Sequence, residues 1–163
     1  GSIEKALVET LKARGLTVAT AESCTGGLIA KRLTDIAGAS AVFAGSCVTY
    51  TGAAKMNLVG VRGETLAAHG EVSRETAAEM ARGVRERLGT DIAVPTTGYA
   101  GPDGGTEKDP VGTVYVGIST QHGETVTRLS LSPMRSRDFT RTVAASRAMA
   151  MTLETILETD LKG

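Results

Sequence analysis

The sequence predicts an α/β fold, a three-layer α/β/α sandwich with a mixed central sheet. Apolar, β-branched runs of strand length alternate with segments whose apolar residues recur at helical spacing, a pattern typical of helices that cover both faces of a parallel sheet. Two late β-rich runs joined through His122-Gly123 indicate a hairpin, which adds antiparallel strands to that sheet.

Helices are predicted where apolar residues recur every three to four positions. Gly15 ends the first helix, and Ser73 is a good N-cap for a long one. The predicted helices cover residues 3–14, 25–36, 53–59, 64–69 and the segment from Ser73 to Leu88. The long helix is expected to bury Ala77, Met80, Ala81, Val84 and Leu88. The last helix is expected to bury Phe139, Val143, Ala150, Leu153 and Leu157.

Strands are predicted for short runs rich in Val, Ile, Thr and aromatic residues. They cover residues 17–21, 41–50, 91–97, 113–120 and 124–131. In an open α/β sheet, ligands bind beyond the carboxyl ends of the strands. The segments after Ala21, Tyr50 and Thr97 are all strand ends of this kind, so we expect the functional site there.

Length and composition are those of a globular protein with one domain, residues 1–163. The 163 residues are 41% hydrophobic and 22% charged, and 18 basic residues balance 18 acidic ones. With no Trp and only 3% aromatic residues, the chain has little with which to stack bases, so no nucleic acid is expected as partner. Gly1-Ser2 resembles a remnant of an expression vector.

A cytoplasmic location without a membrane segment is expected. No apolar run approaches the roughly 20 residues of a membrane span, and no signal-peptide pattern is present. Cys24 and Cys47 are the two cysteines. Two free thiols are the favoured interpretation, and a disulfide is the alternative.

The segment TAESCTGG (20–27) places hydroxyl, thiol and glycine residues between a predicted strand and a predicted helix. Three interpretations are open. Ser23 or Thr25 caps the helix, the commonest role of such residues. Alternatively, the amides at the helix start bind an anion. In the third interpretation Ser23 attacks a carbonyl group, and the amides at Cys24–Gly26 stabilise the oxyanion.

A serine nucleophile needs a base, and a lysine is the best candidate. His69 at a helix end and His122 in a hairpin turn read as surface residues, and no Cys or His falls at zinc-ligand spacing, so neither a Ser-His-Asp triad nor a metal site is expected. The apolar setting of Lys55, VTYTGAAKMNLVGV, would lower its pKa. Tyr50 can pass a proton or donate to an oxyanion. The alternatives are a surface lysine and a strand-end tyrosine.

The segment TTGYAGPDGG (96–105) is dense in glycine, which lets the backbone approach a ligand closely. We predict a ligand-enclosing loop over 98–110 rather than a calcium loop, because the EF-hand spacing is absent. The segment MRSRDFTR (134–141) places arginines at the start of the last helix, where they and the helix dipole suit a phosphate or carboxylate.

Four motifs occur in this order: TAESCTGG (20–27), VTYTGAAKMNLVGV (48–61), HGEVS (69–73) and TGYAGPDGGTEKDPVGTVY (97–115). Together they resemble the CinA C-terminal family, and the resemblance runs from about Ile3 to Leu157. It implies an α/β/α domain that deamidates nicotinamide mononucleotide to nicotinic acid mononucleotide and ammonia, without a cofactor. A small-molecule nucleotide is the implied partner, and homo-oligomers are common in the family. Some members carry an N-terminal pyrophosphatase domain, so this chain is expected to be a stand-alone amidase or the excised half of a longer one.

The resemblance also implies roles for individual residues. Ser23 matches the nucleophile, and Lys55 and Tyr50 match its partners. Thr97 matches a hydroxyl residue of the family site. For the arginine near the last helix, Arg137 is the first candidate and Arg141 the second. Our hypothesis places the oxyanion on backbone amides at Cys24–Gly26 or in the Gly98–Gly101 loop. The residues that it adds to the substrate contacts are Cys24, Thr25, Gly26, Gly98, Ala100 and Gly101.

Two other functions are consistent with the same sequence. A non-catalytic nucleotide-binding module would use Ser23 as a cap and the glycines for phosphate. A thiol enzyme would use Cys24 as the nucleophile. One departure from the family pattern bears on the site: Pro95 precedes Thr96-Thr97, and because proline lacks a backbone donor it leaves the strand end and the position of Thr97 open.

Overall fold

In the computed structural model, which describes residues 2–162, five strands form one mixed sheet in the order β2-β1-β3-β4-β5. The strands are β1 (Val18–Glu22), β2 (Phe43–Val48), β3 (Ile92–Gly98), β4 (Thr113–Thr120) and β5 (Gly123–Ser130). β1 runs parallel to both β2 and β3, and β4 is antiparallel to β3 and β5. The predicted mixed sheet is confirmed.

Helices cover both faces of this sheet, which confirms the predicted α/β/α layers. They are α1 (Ile3–Arg14), α2 (Leu28–Thr34), α3 (Gly52–Val59), α4 (Gly63–His69), α5 (Arg74–Leu88) and α6 (Arg137–Glu158). α1, α2 and α6 pack together on one face, and α5, with α3 and α4 against it, lies on the other. Among residues 2–162, no helix has both the length and the apolar character that crossing a membrane requires.

Close packing between α5 and α3 fixes the helix that carries Lys55. A Cβ atom added at Gly83 of α5 would lie 1.7 Å from the carbonyl oxygen of Val59, the last residue of α3. Only glycine allows this approach. Met80 and Val84 of α5 then pack with Val59 in a buried apolar cluster on this face of the sheet. The position of α3 is therefore set by contacts in the protein interior.

Pro95 lies inside β3, where it pairs with Ala21 of β1. The antiparallel register places Gly117 of β4 opposite the proline ring, and a Cβ atom at Gly117 would lie 2.9 Å from the Cγ atom of Pro95. The glycine makes room for the ring. β3 therefore continues through Pro95, and Thr97 pairs with Tyr115 near the strand end.

Several predicted boundaries and faces differ from the structure. α2 begins at Leu28 rather than at residue 25, and the start of the predicted strand 41–50 is a short 3₁₀ turn, with β2 limited to Phe43–Val48. Leu88 of α5 is 37% exposed. Cys24 and Cys47 are free, so the disulfide alternative is wrong.

The predicted apolar face of α6 was also wrong. The buried residues are Thr140, Ala144, Ala145, Ala148, Met149, Thr152 and Ile156. Phe139 and Leu157 are instead 37% and 56% exposed, and Val143, Ala150 and Leu153 are only half-buried. The buried face consists mainly of small residues because α6 packs closely against α1, α2 and the sheet. A pattern based on large apolar side chains therefore selects the neighbouring face.

Candidate active site

A cavity of about 450 Å³ opens where β1, β2 and β3 end. Segments that are far apart in sequence line it, as expected at the carboxyl edge of parallel strands. The lining residues are Ser23, Cys24, Tyr50, Lys55, Gly70, Glu71, Val72, Thr97, Gly98, Tyr99, Ala100, Gly101, Asp103 and Arg137. All three residues predicted to be catalytic are among them.

Lys55 and Ser23 are in direct contact. The Lys55 Nζ atom lies 2.9 Å from Ser23 Oγ and donates a second hydrogen bond of 2.8 Å to the carbonyl oxygen of Thr49. The lysine is completely buried, and burial lowers its pKa, although the charge of Glu71 partly opposes the shift. A lysine with a lowered pKa loses its proton more readily than an ordinary lysine, and the neutral amine can then accept a proton from the serine hydroxyl.

Glu22 occupies the amides at the start of α2. Its buried carboxylate accepts hydrogen bonds from the backbone N–H groups of Ile29 and Ala30, at 2.8 and 2.9 Å. The N-cap is Gly27, and neither Ser23 nor Thr25 caps the helix. The cap interpretation is therefore wrong, and the two amides that Glu22 occupies are not available to an anionic ligand.

The backbone N–H groups of residues 23–26 differ in whether they have a hydrogen-bond acceptor in the protein. Ser23 N–H donates to the Thr96 carbonyl, and Gly26 N–H donates to the Ser23 carbonyl. Within residues 2–162, the amides of Cys24 and Thr25 have no acceptor. Of these two residues only Cys24 lines the cavity, and Thr25 is fully buried. The Cys24 N–H is therefore the candidate for holding an oxyanion, which removes Thr25 and Gly26 from the set predicted around Ser23.

The Cys24 thiol is a poor nucleophile in this environment. Burial raises its pKa to about 11, although a hydrogen bond with Thr96 and the charge of Lys55 oppose the shift. At neutral pH the group is a thiol, whereas the reactive species is the thiolate. The geometry thus favours Ser23 over Cys24.

Tyr50 and Arg137 contact each other at the edge of the cavity. Tyr50 is 57% exposed, and its hydroxyl accepts a 2.8 Å hydrogen bond from Arg137 Nη2. Arg137 Nη1 donates to the Gly101 carbonyl, also at 2.8 Å. The Tyr50 hydroxyl has no hydrogen bond to Ser23 or Lys55, so proton transfer from Ser23 to Lys55 does not need it.

Thr97 joins the end of β3 to the segment before α5. Its buried hydroxyl donates a 2.7 Å hydrogen bond to the Glu71 carbonyl. Gly98, Ala100 and Gly101 continue from this point along the cavity wall. The predicted loop therefore does line the site.

Thr25, Gly26 and Arg141 lie outside the cavity lining. The Thr25 hydroxyl donates to Glu22 at 2.8 Å. Arg141 Nε and Nη2 donate to the carbonyl oxygens of Cys24 and Thr25, at 3.0 and 3.1 Å. Arg141 therefore contacts the backbone beside Ser23, while Arg137 is the one of these two arginines that lines the cavity.

Sequence reasoning assigned no role to Glu22, Glu71 or Tyr99. Glu71 lies in HGEVS and Tyr99 in the glycine-dense loop, so both were inside recognised motifs. For Glu22 the local sequence shows only an acidic residue at the end of a predicted strand. Within residues 2–162, no three His, Cys, Asp or Glu side chains group together as metal ligands.

Proteins of known sequence resemble this chain over most of its length. The nicotinamide-nucleotide amidohydrolase PncC of Escherichia coli (strain K12) is 55% identical over 120 residues, 74% of this chain and 73% of PncC. A CinA-like protein of Chloroherpeton thalassium is 61% identical over 118 residues, 72% of this chain but 28% of that protein. The chain thus spans less than a third of the length of that relative.

Solved structures show the same fold. The competence/damage inducible protein CihA from Agrobacterium tumefaciens superposes with a TM-score of 0.90 at 40% identity, covering 93% of this chain and 92% of CihA. A CinA superfamily protein from Klebsiella pneumoniae gives 0.92 at 34% identity, covering 96% and 97% of the two chains. The model of the CinA C-terminal domain family matches residues 1–156, and this chain belongs to that family.

Proposed function

We propose that the chain hydrolyses the carboxamide of nicotinamide mononucleotide to give nicotinic acid mononucleotide and ammonia. The observation that carries the proposal is the 2.9 Å contact between the buried Lys55 Nζ and Ser23 Oγ, in a cavity at the strand ends. The similarity to PncC, a nicotinamide-nucleotide amidohydrolase, supports the choice of substrate.

Acylation begins with neutral Lys55, which takes the proton of Ser23 Oγ as that oxygen attacks the carboxamide carbon. The carbonyl oxygen becomes an oxyanion, which the N–H group of Cys24 stabilises. When the C–N bond breaks, the Lys55 ammonium returns the proton to the leaving nitrogen, and ammonia departs. Ser23 is left esterified to the nicotinoyl group of the nucleotide.

Deacylation repeats the sequence with water. Neutral Lys55 takes a proton from the water molecule as its oxygen attacks the ester carbon, and the proton then returns to Ser23 Oγ as the ester bond breaks. The acid product and free Ser23 result. Arg137 lines the cavity, and two of its N–H donors are directed at the Tyr50 hydroxyl and the Gly101 carbonyl. Its guanidinium is the group proposed to bind the phosphate.

Ammonia release from nicotinamide mononucleotide, measured with a chelator present, tests the proposal. Ser23→Ala should lower kcat at least about 10³-fold, because no other nucleophile is activated in the cavity. The melting temperature should stay near that of the wild type. Ser40→Ala, at an exposed serine in the 3₁₀ turn, is the matched control.

Retention of near-wild-type kcat by Ser23→Ala would overturn the serine mechanism. Cys24→Ala tests the thiol enzyme separately. On the serine mechanism this variant should retain at least about a tenth of kcat, since a thiol with a pKa of about 11 is protonated in the assay, whereas a thiol enzyme would lose its activity. No release by the wild type, with a nucleotide-dependent rise in melting temperature, would favour the binding module.

A further inference from the structure

The cavity contains two carboxylates that the acyl-transfer steps do not use. Its charged lining residues are Lys55, Glu71, Asp103 and Arg137. Lys55 must be neutral to act as the base. The charged groups that then remain in the cavity are two carboxylates, Glu71 and Asp103, and one guanidinium, Arg137. Arg137 matches a phosphate, so the acidic groups need a different explanation.

The Glu71 carboxylate lies beside the helix that carries Lys55. A Cβ atom added at Gly52, the first residue of α3, would lie 3.5 Å from Glu71 Oε1. Glu71 is exposed, and it forms no ion pair with any residue in the range 2–162. Its charge raises the pKa of Tyr99 and opposes the lowering of the Lys55 pKa, so it acts on both residues. An unpaired carboxylate thus faces the cavity close to the reacting centre.

Tyr99 adds an aromatic ring to the same cavity. It is half-buried, and a Cβ atom at Gly104 would lie 3.3 Å from its Cδ1 atom, so the glycine makes room for the ring. Burial and the nearby charges of Asp109 and Glu71 raise its pKa, which keeps the phenol neutral. The face of a neutral tyrosine ring attracts cations.

We propose that Glu71 and Tyr99 recognise the positive charge of the pyridinium ring and select it over an uncharged ring. The inference rests on the proposed function, since it takes the ring of nicotinamide mononucleotide as ligand. That ring carries a permanent positive charge at the nitrogen bonded to ribose. With the carboxamide at Ser23 and the phosphate at Arg137, the ring lies in the cavity that Glu71 and Tyr99 also line.

Binding measurements with two nucleotides test this selection. Nicotinamide mononucleotide has a cationic ring, and its dihydro form has the same phosphate and carboxamide on an uncharged ring. Titration calorimetry on Ser23→Ala protein gives dissociation constants without turnover. Adding Glu71→Gln should weaken the cationic nucleotide about tenfold and the dihydro form less than about twofold. Tyr99→Leu should have a smaller effect in the same direction, about threefold.

Glu64→Gln is the matched control, because it removes one negative charge from α4 outside the cavity. Equal weakening of both nucleotides by Glu71→Gln, or weakening of neither, would overturn the inference, as would failure of the cationic nucleotide to bind the Ser23→Ala protein. Failure of the proposed function has a different signature: wild-type protein would release no ammonia, while the ratio of the two affinities would still fall in Glu71→Gln.

Discussion

Lys55 shows how one residue links stability to chemistry. The side chain is completely buried, yet its Nζ atom donates hydrogen bonds to Ser23 Oγ and to the Thr49 carbonyl. Burial destabilises the charged form, and this lowers the pKa from its ordinary value of 10.5. The same desolvation that makes the amine usable as a base therefore makes the folded protein less stable whenever the amine is protonated.

This coupling predicts a pH-dependent difference between the wild type and Lys55→Met. Below the lowered pKa both the folded and the unfolded chain hold the proton, so the destabilisation is complete. Between that pKa and 10.5 the unfolded chain holds more protons, so the free energy of unfolding of the wild type rises with pH. The gain relative to Lys55→Met should be about 1.4 kcal/mol for each unit by which the pKa is lowered.

Urea unfolding at a series of pH values from neutral to 10.5 measures this gain. Lys31→Met, at an exposed lysine of α2, controls for the loss of one lysine. A pH-independent difference between the wild type and Lys55→Met would show that the folded protein does not depress the titration of Lys55. Ammonia release should disappear in Lys55→Met at every pH, because the base is lost.

At the scale of elements, the turn between β1 and α2 determines where the backbone of Ser23 and Cys24 lies in the site. The sequence placed the helix start at Thr25, but residues 25–27 form a turn in which Gly26 and Gly27 adopt φ values of 59° and 100°. The local sequence does not show what the two glycines do. In the structure they allow the left-handed turn, and Gly26 also makes room for Arg141, whose Nη2 atom would lie 3.1 Å from an added Cβ atom.

Glu22 could not be assigned from sequence because its partners come from several elements. Local sequence shows only an acidic residue at a strand end. In the fold its carboxylate accepts from two α2 amides and from the Thr25 hydroxyl, and Thr20 donates to it from the same strand. These donors, together with the positive end of the α2 dipole, stabilise a buried negative charge without a cation.

Glu22→Gln should therefore destabilise the fold by about 2–4 kcal/mol, since the amide NH₂ would face N–H or O–H donors in place of one carboxylate oxygen. The free energy of unfolding in urea measures the loss. Glu9→Gln, at an exposed position of α1, is the matched control. A change of less than about 0.5 kcal/mol in Glu22→Gln would contradict a capping role for the carboxylate.

At the scale of the whole molecule, the site unites segments that lie more than a hundred residues apart. The contact between Ser23 and Lys55 could be predicted because each stands in a distinctive local motif and is the residue type that the proposed chemistry needs. Glu71 and Tyr99 stood in recognised motifs too, but their roles depend on which side chains the fold places beside them. The order and layers of the elements could be predicted from the spacing of apolar residues along the chain. The buried face of α6 could not, because it consists mainly of small residues rather than large apolar ones.

α6 contacts the backbone beside Ser23 through Arg141, whose guanidinium donates hydrogen bonds to the carbonyl oxygens of Cys24 and Thr25. The peptide bond is planar. Holding the Cys24 carbonyl therefore fixes the orientation of the Cys24–Thr25 peptide plane, next to the N–H of Cys24, which is a residue of the cavity lining and whose N–H has no acceptor within residues 2–162. Arg141 acts on this account as a positioning residue for the oxyanion.

Arg141→Met should lower kcat about 10- to 100-fold while KM changes less than about twofold, because the lost contacts matter only when the oxyanion forms. Arg141→Lys should recover part of kcat, since one ammonium can replace one of the two donors. Arg147→Met, at an exposed arginine of the same helix, should behave as wild type. A rise in KM with unchanged kcat would instead indicate that Arg141 binds the phosphate, the role that sequence alone gave it as second candidate after Arg137.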